Sequence, residues 1–381
     1  MGKLNIYYAG IGMNNLPSRK VNNILLNVVD HCCDEKSVIN ATKLIHKAQA
    51  INILLDCGGY DIHTTETIGG KIISSPSLPI KYSKKYSPFK YDLNLTPEHV
   101  IMAAKDIEPT LIMTLDYPII TIRKGKLSQR GMEYEREKEF RKKLPYNVEW
   151  AIKTAELHHK YISKTNLYVP IQCYNLKQYE VFKTQIGDIG YNGFSIPVRN
   201  MTLEDIVLFL IKFYQDGIKK VHILGTATFE KIALLAFLAK QGIFEILSLD
   251  ATSWMQHALH SCYLSPNDLS PCMINYNSFI DKNLKNNCTC LSCKGMSFTE
   301  IKNLVKSERD IHLMKHNYYV TENISLELYN NSKDIYTLNT YLRANYKKID
   351  MINPILSLFD MTNFYKDKDI NIIRQLIKKA T

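Results

Sequence analysis

The sequence predicts an α/β protein built on a (β/α)8 barrel of the TIM type, followed by a small cysteine-bearing subdomain near the C-terminus. Eight short apolar runs alternate with helical patterns along most of the chain, which is typical of parallel strands. Three of those runs are followed by aspartate, and three cysteines cluster within six residues. An open doubly wound sheet is the alternative, but no phosphate-binding glycine motif follows the first strands.

Each predicted strand is a short run of apolar and β-branched residues bounded by turn signals. The eight strands are predicted at Leu4–Ala9, Ile24–Val29, Ile51–Leu55, Thr110–Leu115, Leu167–Cys173, Gly193–Ile196, Val221–Leu224 and Phe244–Leu249. The main helices are predicted at Ser37–Ala48, Pro97–Ile107, Pro145–Ile162, Leu176–Gln185, Leu203–Gln215 and Thr228–Lys240. Thr96 before Pro97, and Thr202 before two acidic residues, are helix-start signals. We expect a barrel domain over 1–270, a subdomain over 271–320 and a C-terminal helical segment over 321–381 that packs on the barrel.

The chain is basic: 48 lysines and arginines against 37 aspartates and glutamates give a formal charge of +11. Such an excess favours a polyanionic partner, most simply nucleic acid. A merely basic protein from a lysine-rich proteome is the alternative. No apolar run has transmembrane length and no export signal is present, so we expect a soluble protein without a membrane partner.

Two connections are long for barrel loops. Thr64–Leu95, the basic-aromatic loop, interleaves lysines with tyrosines, a combination suited to phosphate contacts and base stacking. Arg123–Lys143 is highly charged with a basic excess, and it is at least as well explained as a solvated helix with Glu–Arg and Glu–Lys pairs.

The clustered cysteines are Cys288, Cys290 and Cys293, and His316 follows them. Three thiolates and one imidazole form a closed tetrahedral zinc site of the structural type. His312 is an alternative fourth ligand, although we prefer His316. Three thiols in a polar, Asn- and Lys-rich segment are poorly explained as core. We therefore expect Zn²⁺ that serves folding rather than catalysis.

Polar groups follow several predicted strands. Asp56, Asp116 and Asp250 come after three of them, Gln172 ends a fourth and Gly225 a fifth. In a barrel these positions share the rim where active sites lie. A single aspartate there could be an ordinary cap, but three indicate a functional cluster with a nucleophile, a base and groups that read a base edge.

Several motifs together resemble the tRNA-guanine transglycosylases. Their order matches that family from about residue 50 to about residue 320, and the zinc spacing and aspartate pair are the specific elements. The matching segments are DCGGYD from Asp56, NVEWA from Asn147, PIQCY, HILGTAT, SLDATSW around Asp250, and CTCLSC with His316-Asn317.

The resemblance implies base exchange. Asp250 would attack the anomeric carbon of a guanine nucleotide and form a glycosyl–aspartate ester, while Asp56 would act as general acid/base. A flat recognition slot would hold the base: Asp116 and Gln172 on its polar edge, Val198 and Gly225 lining the pocket, Gly58 and Gly59 opening it and Tyr60 stacking on the base. A guanine within duplex or folded nucleic acid must first turn out of its stack.

The chain departs from that family at several points. Asp61 replaces the family's glutamine, Pro197-Val198-Arg199 replaces a Gly-Gly-Leu segment, and the start LNIYYAG and the basic-aromatic loop are unlike the tRNA enzymes. No appended RNA-binding domain is evident. These departures favour the DNA-acting DpdA-type branch, which places 7-deazaguanines such as preQ0 in phage or bacterial DNA, and hence the cytoplasm of a bacterial or phage-infected cell.

Other hypotheses stay open. The chain could be a tRNA-acting transglycosylase of the queuosine or archaeosine type, or a non-catalytic nucleic-acid-binding paralogue. The presence of all three aspartates counts against the paralogue. The identity of the inserted base, the oligomeric state and the need for a helper ATPase stay open as well.

Overall fold

Eight parallel strands form a closed barrel in chain order, which confirms the predicted fold class. The computed structural model describes residues 1–18, 20–32, 34–59, 95–119, 129–198, 201–225, 227–274, 288–346, 356 and 368–380. The barrel strands are β1 (Lys3–Tyr8), β2 (Asn23–Asn27), β3 (Asn52–Asp56), β4 (Leu111–Met113), β5 (Asn166–Pro170), β6 (Gly193–Pro197), β7 (Lys220–Leu224) and β8 (Ile246–Ala251). A separate antiparallel pair is formed by β9 (Cys262–Leu264) and β10 (Pro271–Met273).

The helices alternate with the barrel strands and then continue beyond them. The described helices are α1 (Val28–His31), α2 (Glu35–Ala48), α3 (Pro97–Ile107), α4 (Gln129–Tyr161), α5 (Leu176–Ile186), α6 (Leu203–Gln215), α7 (Phe229–Lys240), α8 (Ser253–Leu259), α9 (Phe298–Asn303), α10 (Lys306–Asn331), α11 (Ile335–Asn345) and α12 (Ile370–Ala380). No helix within these described ranges is both long and apolar enough to cross a bilayer.

The predicted helix starts are confirmed where they can be checked. Thr96 and Thr202 are the N-caps of α3 and α6, each within a capping box that satisfies backbone donors of the first turn. α4 is longer than predicted, because it runs through Pro145 and includes part of the charged segment. In that part Arg141 pairs with Glu137 at 2.7 Å, as expected for a solvated helix.

The chain divides into two compact units. The first comprises residues 1–23, 47–49 and 198–381, and the second comprises 24–46 and 50–197. In the first unit β1 and β7 flank β8, with Tyr7 paired to Asp250 and His222 to Ser248. In the second unit β3 to β6 pair in sequence.

Asn317 joins α10 to β9 and α8 in the first unit. It is fully buried, and its Oδ1 accepts a hydrogen bond from the Leu264 N–H at 2.9 Å. Its Nδ2 donates to the carbonyls of Trp254, at 3.0 Å, and Cys262, at 3.2 Å. One side chain therefore satisfies three backbone groups, each of which would be costly to bury alone.

We predict that Asn317→Ala lowers the free energy of unfolding by on the order of 3 kcal/mol, because it leaves three buried backbone groups without their partner. Thermal or denaturant unfolding measures the change. Asn330→Ala is the matched control, since Asn330 is exposed on the same helix. Equal stability of the two variants would contradict this role of Asn317.

Candidate active site and metal centre

Asp56 is the last residue of β3, and Asn27 at the end of β2 holds it. The Asn27 Nδ2 lies 3.4 Å from the Asp56 Oδ2. The Asn27 Oδ1 accepts from the Val29 N–H at 2.7 Å and caps α1. Because both ends of the amide are engaged, its orientation toward Asp56 is fixed.

The turn after Asp56 requires glycine. Gly58 has φ +87°, and a Cβ on Gly59 would lie 2.4 Å from the Asp116 Oδ1 and 2.7 Å from the Asp116 carbonyl oxygen. Real Cβ atoms do not approach other atoms so closely, so Gly59 allows the chain to pass directly against Asp116.

Asp116 is buried and accepts two side-chain hydrogen bonds. The Cys57 thiol donates to Oδ1 at 2.8 Å, and the Gln172 Nε2 donates to Oδ2 at 2.5 Å. Burial raises the pKa of the Asp116 carboxyl, and these two hydrogen bonds oppose that shift. Burial, with the nearby carboxylates, also raises the pKa of Cys57, which therefore stays a protonated donor. Asp116 and Gln172, both predicted to contact the base, are thus brought together.

Strand β4 ends before Asp116, and side chains supply the hydrogen bonds that the following backbone groups would otherwise make to a neighbouring strand. β4 ends at Met113, although the sequence predicted a strand to Leu115. The Leu115 N–H donates to the Thr154 Oγ1 at 3.3 Å instead of to a strand. The Asn147 side chain accepts from the Tyr117 N–H at 2.6 Å and donates to the Tyr117 carbonyl at 3.1 Å.

A buried lysine completes this support from α4. The Lys143 Nζ donates to the Pro118 carbonyl at 2.7 Å, lies 4.3 Å from the centre of the Tyr117 ring and pairs with Glu139 at 3.4 Å. The segment that carries Asp116 is therefore fixed by three polar side chains of one helix.

Asp250 lies near the end of β8 and is 6% exposed. Its Oδ1 accepts from the Gly225 N–H at 2.7 Å. The same oxygen lies 3.4 Å from the Nε2 of His222, a fully buried residue of β7. The sequence alone did not indicate His222, because it reads as one interior residue of a strand. Its place at the start of the HILGTAT segment was the available signal.

Among the residues predicted to contact the base, Val198 forms backbone hydrogen bonds within the protein, and others lie outside the described residues. The Val198 N–H donates to the Leu224 carbonyl at 3.1 Å, and the Val198 carbonyl accepts from Met201 at 3.1 Å. Tyr60, Asp61, Arg199 and nearly all of the basic-aromatic loop lie outside the described residues. Base contacts of Tyr60, Val198 and Gly225 stay predictions.

Cys288, Cys290, Cys293 and His316 form a group that could hold a metal ion. The His316 Nδ1 lies 3.3 Å from the Sγ of Cys288, 3.6 Å from that of Cys290 and 3.4 Å from that of Cys293. A tetrahedral zinc ion with its usual bond lengths separates a sulfur from a nitrogen ligand by about 3.6 Å. The donor set therefore fits zinc in both chemistry and spacing.

His316 is oriented for ligation. Its Nε2 lies 2.9 Å from the Leu264 carbonyl, so Nε2–H donates there and Nδ1 faces the thiols. His312 contacts the group only through its Nε2, 3.4 Å from the Cys293 Sγ, and is not part of the four-residue set. Hydrogen bonds with Cys290 and Cys293 lower the pKa of the Cys288 thiol, which favours the thiolate that a metal needs.

The protein thus combines a TIM-type barrel, carboxylates at the ends of its strands and a Cys₃His group that could hold a metal ion. The family model described as queuine tRNA-ribosyltransferase matches residues 13–329. The chain belongs to this family, whose members are guanine transglycosylases and hence pentosyltransferases that act on nucleic acid. A search of curated proteins finds no significant match.

We predict that His316→Ala abolishes stoichiometric zinc binding, while His312→Ala retains it, because only His316 faces all three thiols. Metal analysis of protein purified without chelator measures about one zinc per chain in the wild type. Cys290→Ala should lose zinc and lower the melting temperature, with Cys272→Ala as the control outside the group. Zinc-free wild-type protein would contradict the assignment.

We predict that Gly59→Ala disrupts the Asp116 site, because the added methyl would overlap the Asp116 carboxylate. Guanine exchange should fall by about 100-fold or more, as expected for a displaced positioning group. Gly12→Ala is the control, since its nearest contact would be an ordinary 3.5 Å. Exchange kinetics at matched thermal stability test this, and wild-type exchange by Gly59→Ala would refute it.

Proposed function

We propose that this protein exchanges guanine in DNA for a 7-deazaguanine such as preQ0 through a covalent glycosyl–aspartate intermediate. Membership of the transglycosylase family supports the reaction class. The observation that carries the mechanism is the buried Asp250 carboxylate, held through one oxygen by a backbone N–H. Such a group is prepared as a nucleophile, because its position is fixed before substrate binds.

The roles of the two carboxylates are those that the family resemblance implies. Asp250 attacks C1′ of the target nucleotide, the C1′–N9 bond breaks, and its electron pair goes to guanine. Asp56 then supplies a proton to the departing base and accepts one from the incoming base. This pairing is an expectation from (β/α)8 barrels in general, whose active sites lie at the carboxyl ends of the strands.

Asp116 and Gln172 are proposed to recognise the base. The Gln172 Oε1 accepts from the Ile119 N–H at 3.0 Å, so Gln172 is held on both sides. A fixed acceptor such as Asp116 suits the N–H groups on the polar edge of guanine. Tyr60 would stack on the base, and Val198, Gly225, Gly58 and Gly59 would shape its slot.

DNA is preferred as the polymer because the chain departs from the tRNA enzymes. Pro197-Val198-Arg199 replaces two glycines and adds a cation, Asp61 replaces glutamine, and the net charge of +11 suits either polymer. The second candidate is exchange in tRNA, which the description of the matched family favours.

Zinc, when bound by the Cys₃His group, would stabilise the fold, and no chemical step requires it. The zinc-binding residues are proposed as a subdomain over 271–320.

We predict that wild-type protein incorporates radiolabelled guanine into DNA and forms a denaturant-stable protein–DNA adduct. Asp250→Asn should form none, because the amide is a poor nucleophile. Asp56→Asn should slow exchange by about 10²- to 10⁴-fold, the usual contribution of general acid–base catalysis. Asp188→Asn is the control, since Asp188 is exposed.

Gel analysis after denaturation measures the adduct, and parallel reactions with tRNA identify the polymer. Incorporation into tRNA alone would overturn the DNA assignment. An adduct formed by Asp250→Asn would overturn the covalent mechanism. Nucleoside analysis of DNA from cells that express the protein with an intact deazaguanine pathway would identify the inserted base.

A further inference from the structure

His222 is a buried polar residue that the proposed reaction does not yet use. Its side chain has no exposed surface. The ring Nδ1 lies 2.9 Å from the Ser248 Oγ, and Nε2 lies 3.4 Å from the Asp250 Oδ1. The Tyr7 ring packs edge-on at a centroid distance of 5.9 Å. The imidazole is therefore held in place by Ser248 and Tyr7, with Nε2 directed at Asp250.

The contacts with Ser248 and with the Asp250 carboxylate, which can only accept, together indicate which ring nitrogen carries the proton. The Ser248 Oγ is 2.9 Å from the His222 Nδ1 but 3.5 Å from the Val221 carbonyl, so the shorter contact takes the hydroxyl proton. The ring then accepts at Nδ1 and carries its proton at Nε2.

The Asp250 carboxylate is an acceptor that faces that proton. In the described part of the chain, Nε2 has no hydrogen bond of good geometry, and a buried donor left unpaired is costly. The contact with Oδ1 at 3.4 Å is slightly long, as catalytic hydrogen bonds often are before substrate binds.

We propose that His222 is a positioning residue that, together with the Gly225 N–H, holds the Oδ1 of Asp250 and leaves Oδ2 as the attacking oxygen. The Gly225 N–H donates to Oδ1 at 2.7 Å, and the φ of +105° at Gly225 is a conformation that residues with a Cβ rarely adopt. The inference deepens the proposed function and rests on it.

The two donors have a specific effect on the second half of the reaction. In the first step Oδ2 bonds to C1′, guanine leaves with the C1′–N9 electron pair, and Oδ1 becomes the carbonyl oxygen of the ester. In the second step N9 of the incoming base attacks C1′, and the C1′–Oδ2 electron pair returns to the carboxylate. Negative charge therefore develops on the carboxyl group as it leaves, and donors at Oδ1 stabilise that charge.

Removal of the His222 donor should slow release of the adduct more than its formation. A single preorganised donor to developing charge contributes roughly 10²- to 10³-fold, and the retained Gly225 donor reduces the expected loss to about tenfold or more. A merely structural role of His222 would lower adduct yield and stability without this selective effect on release.

The test isolates the adduct on the polymer that the wild type modifies and chases it with unlabelled guanine. His222→Leu should still form the adduct but release it at least about tenfold more slowly, with an unchanged half-saturating guanine concentration. His222→Gln should restore much of the rate, because its amide supplies an N–H donor at similar reach. Ser248→Ala keeps the ring but loses the group that fixes its tautomer, so its release should be intermediate.

Melting temperature and zinc content establish that each variant is folded. If His222→Leu does not fold, Ser248→Ala and His222→Gln carry the test, and wild-type release by Ser248→Ala would overturn the proposal. Release by a folded His222→Leu at the wild-type rate would overturn it as well. If the wild type itself forms no adduct on DNA or tRNA, the proposed function fails, a result distinct from a failure of the role of His222.

Discussion

The structure depends on how backbone hydrogen bonds are satisfied where the barrel strands end. A parallel ladder stops at each strand end, and the next buried N–H and C=O groups need other partners. Here side chains supply them: Asn27 caps the residues after β2, Asn147 pairs with both backbone groups of Tyr117, and Gln172 accepts from Ile119. After β7, the Gly225 N–H donates to Asp250. The same side chains that complete the backbone thus fix the candidate site.

Asp116 and Asp250 have different hydrogen-bond partners and therefore lie in different environments. Asp116 is buried, which raises its pKa, but a thiol and an amide donate to it, oppose that shift and hold it in place as an acceptor. Asp250 has one oxygen held by a backbone N–H and faced by an imidazole. The different roles proposed for these two carboxylates, base recognition and nucleophilic attack, therefore rest on their surroundings and not on their intrinsic chemistry.

Local sequence patterns predicted the strands and helices well, but they could not predict contacts between segments that are distant in the chain. The apolar run before Asp56 and the Thr96-Pro97 cap each specify structure within a few residues, so β3 and α3 are found where expected. The close spacing of Cys288, Cys290 and Cys293 predicted the metal group for the same reason, whereas the choice of His316 over His312 depended on a later helix. By contrast, the hydrogen bond of Cys57 to Asp116 joins residues 59 positions apart, so Cys57 read as a small apolar residue. The early end of β4 likewise depends on Thr154, which lies on a later helix.

The Cys₃His group also bears on how the residues after Asp250 are held. His316 binds the Leu264 carbonyl, and the adjacent Asn317 binds the Leu264 N–H and the carbonyl of Trp254 in α8. The Trp254 indole in turn donates to the Ala9 carbonyl at 3.1 Å, just beyond β1. Because α8 begins two residues after β8, a metal that orders His316 would also order the chain that follows Asp250. Such a metal would act on the proposed site through backbone hydrogen bonds and would need no contact with the substrate.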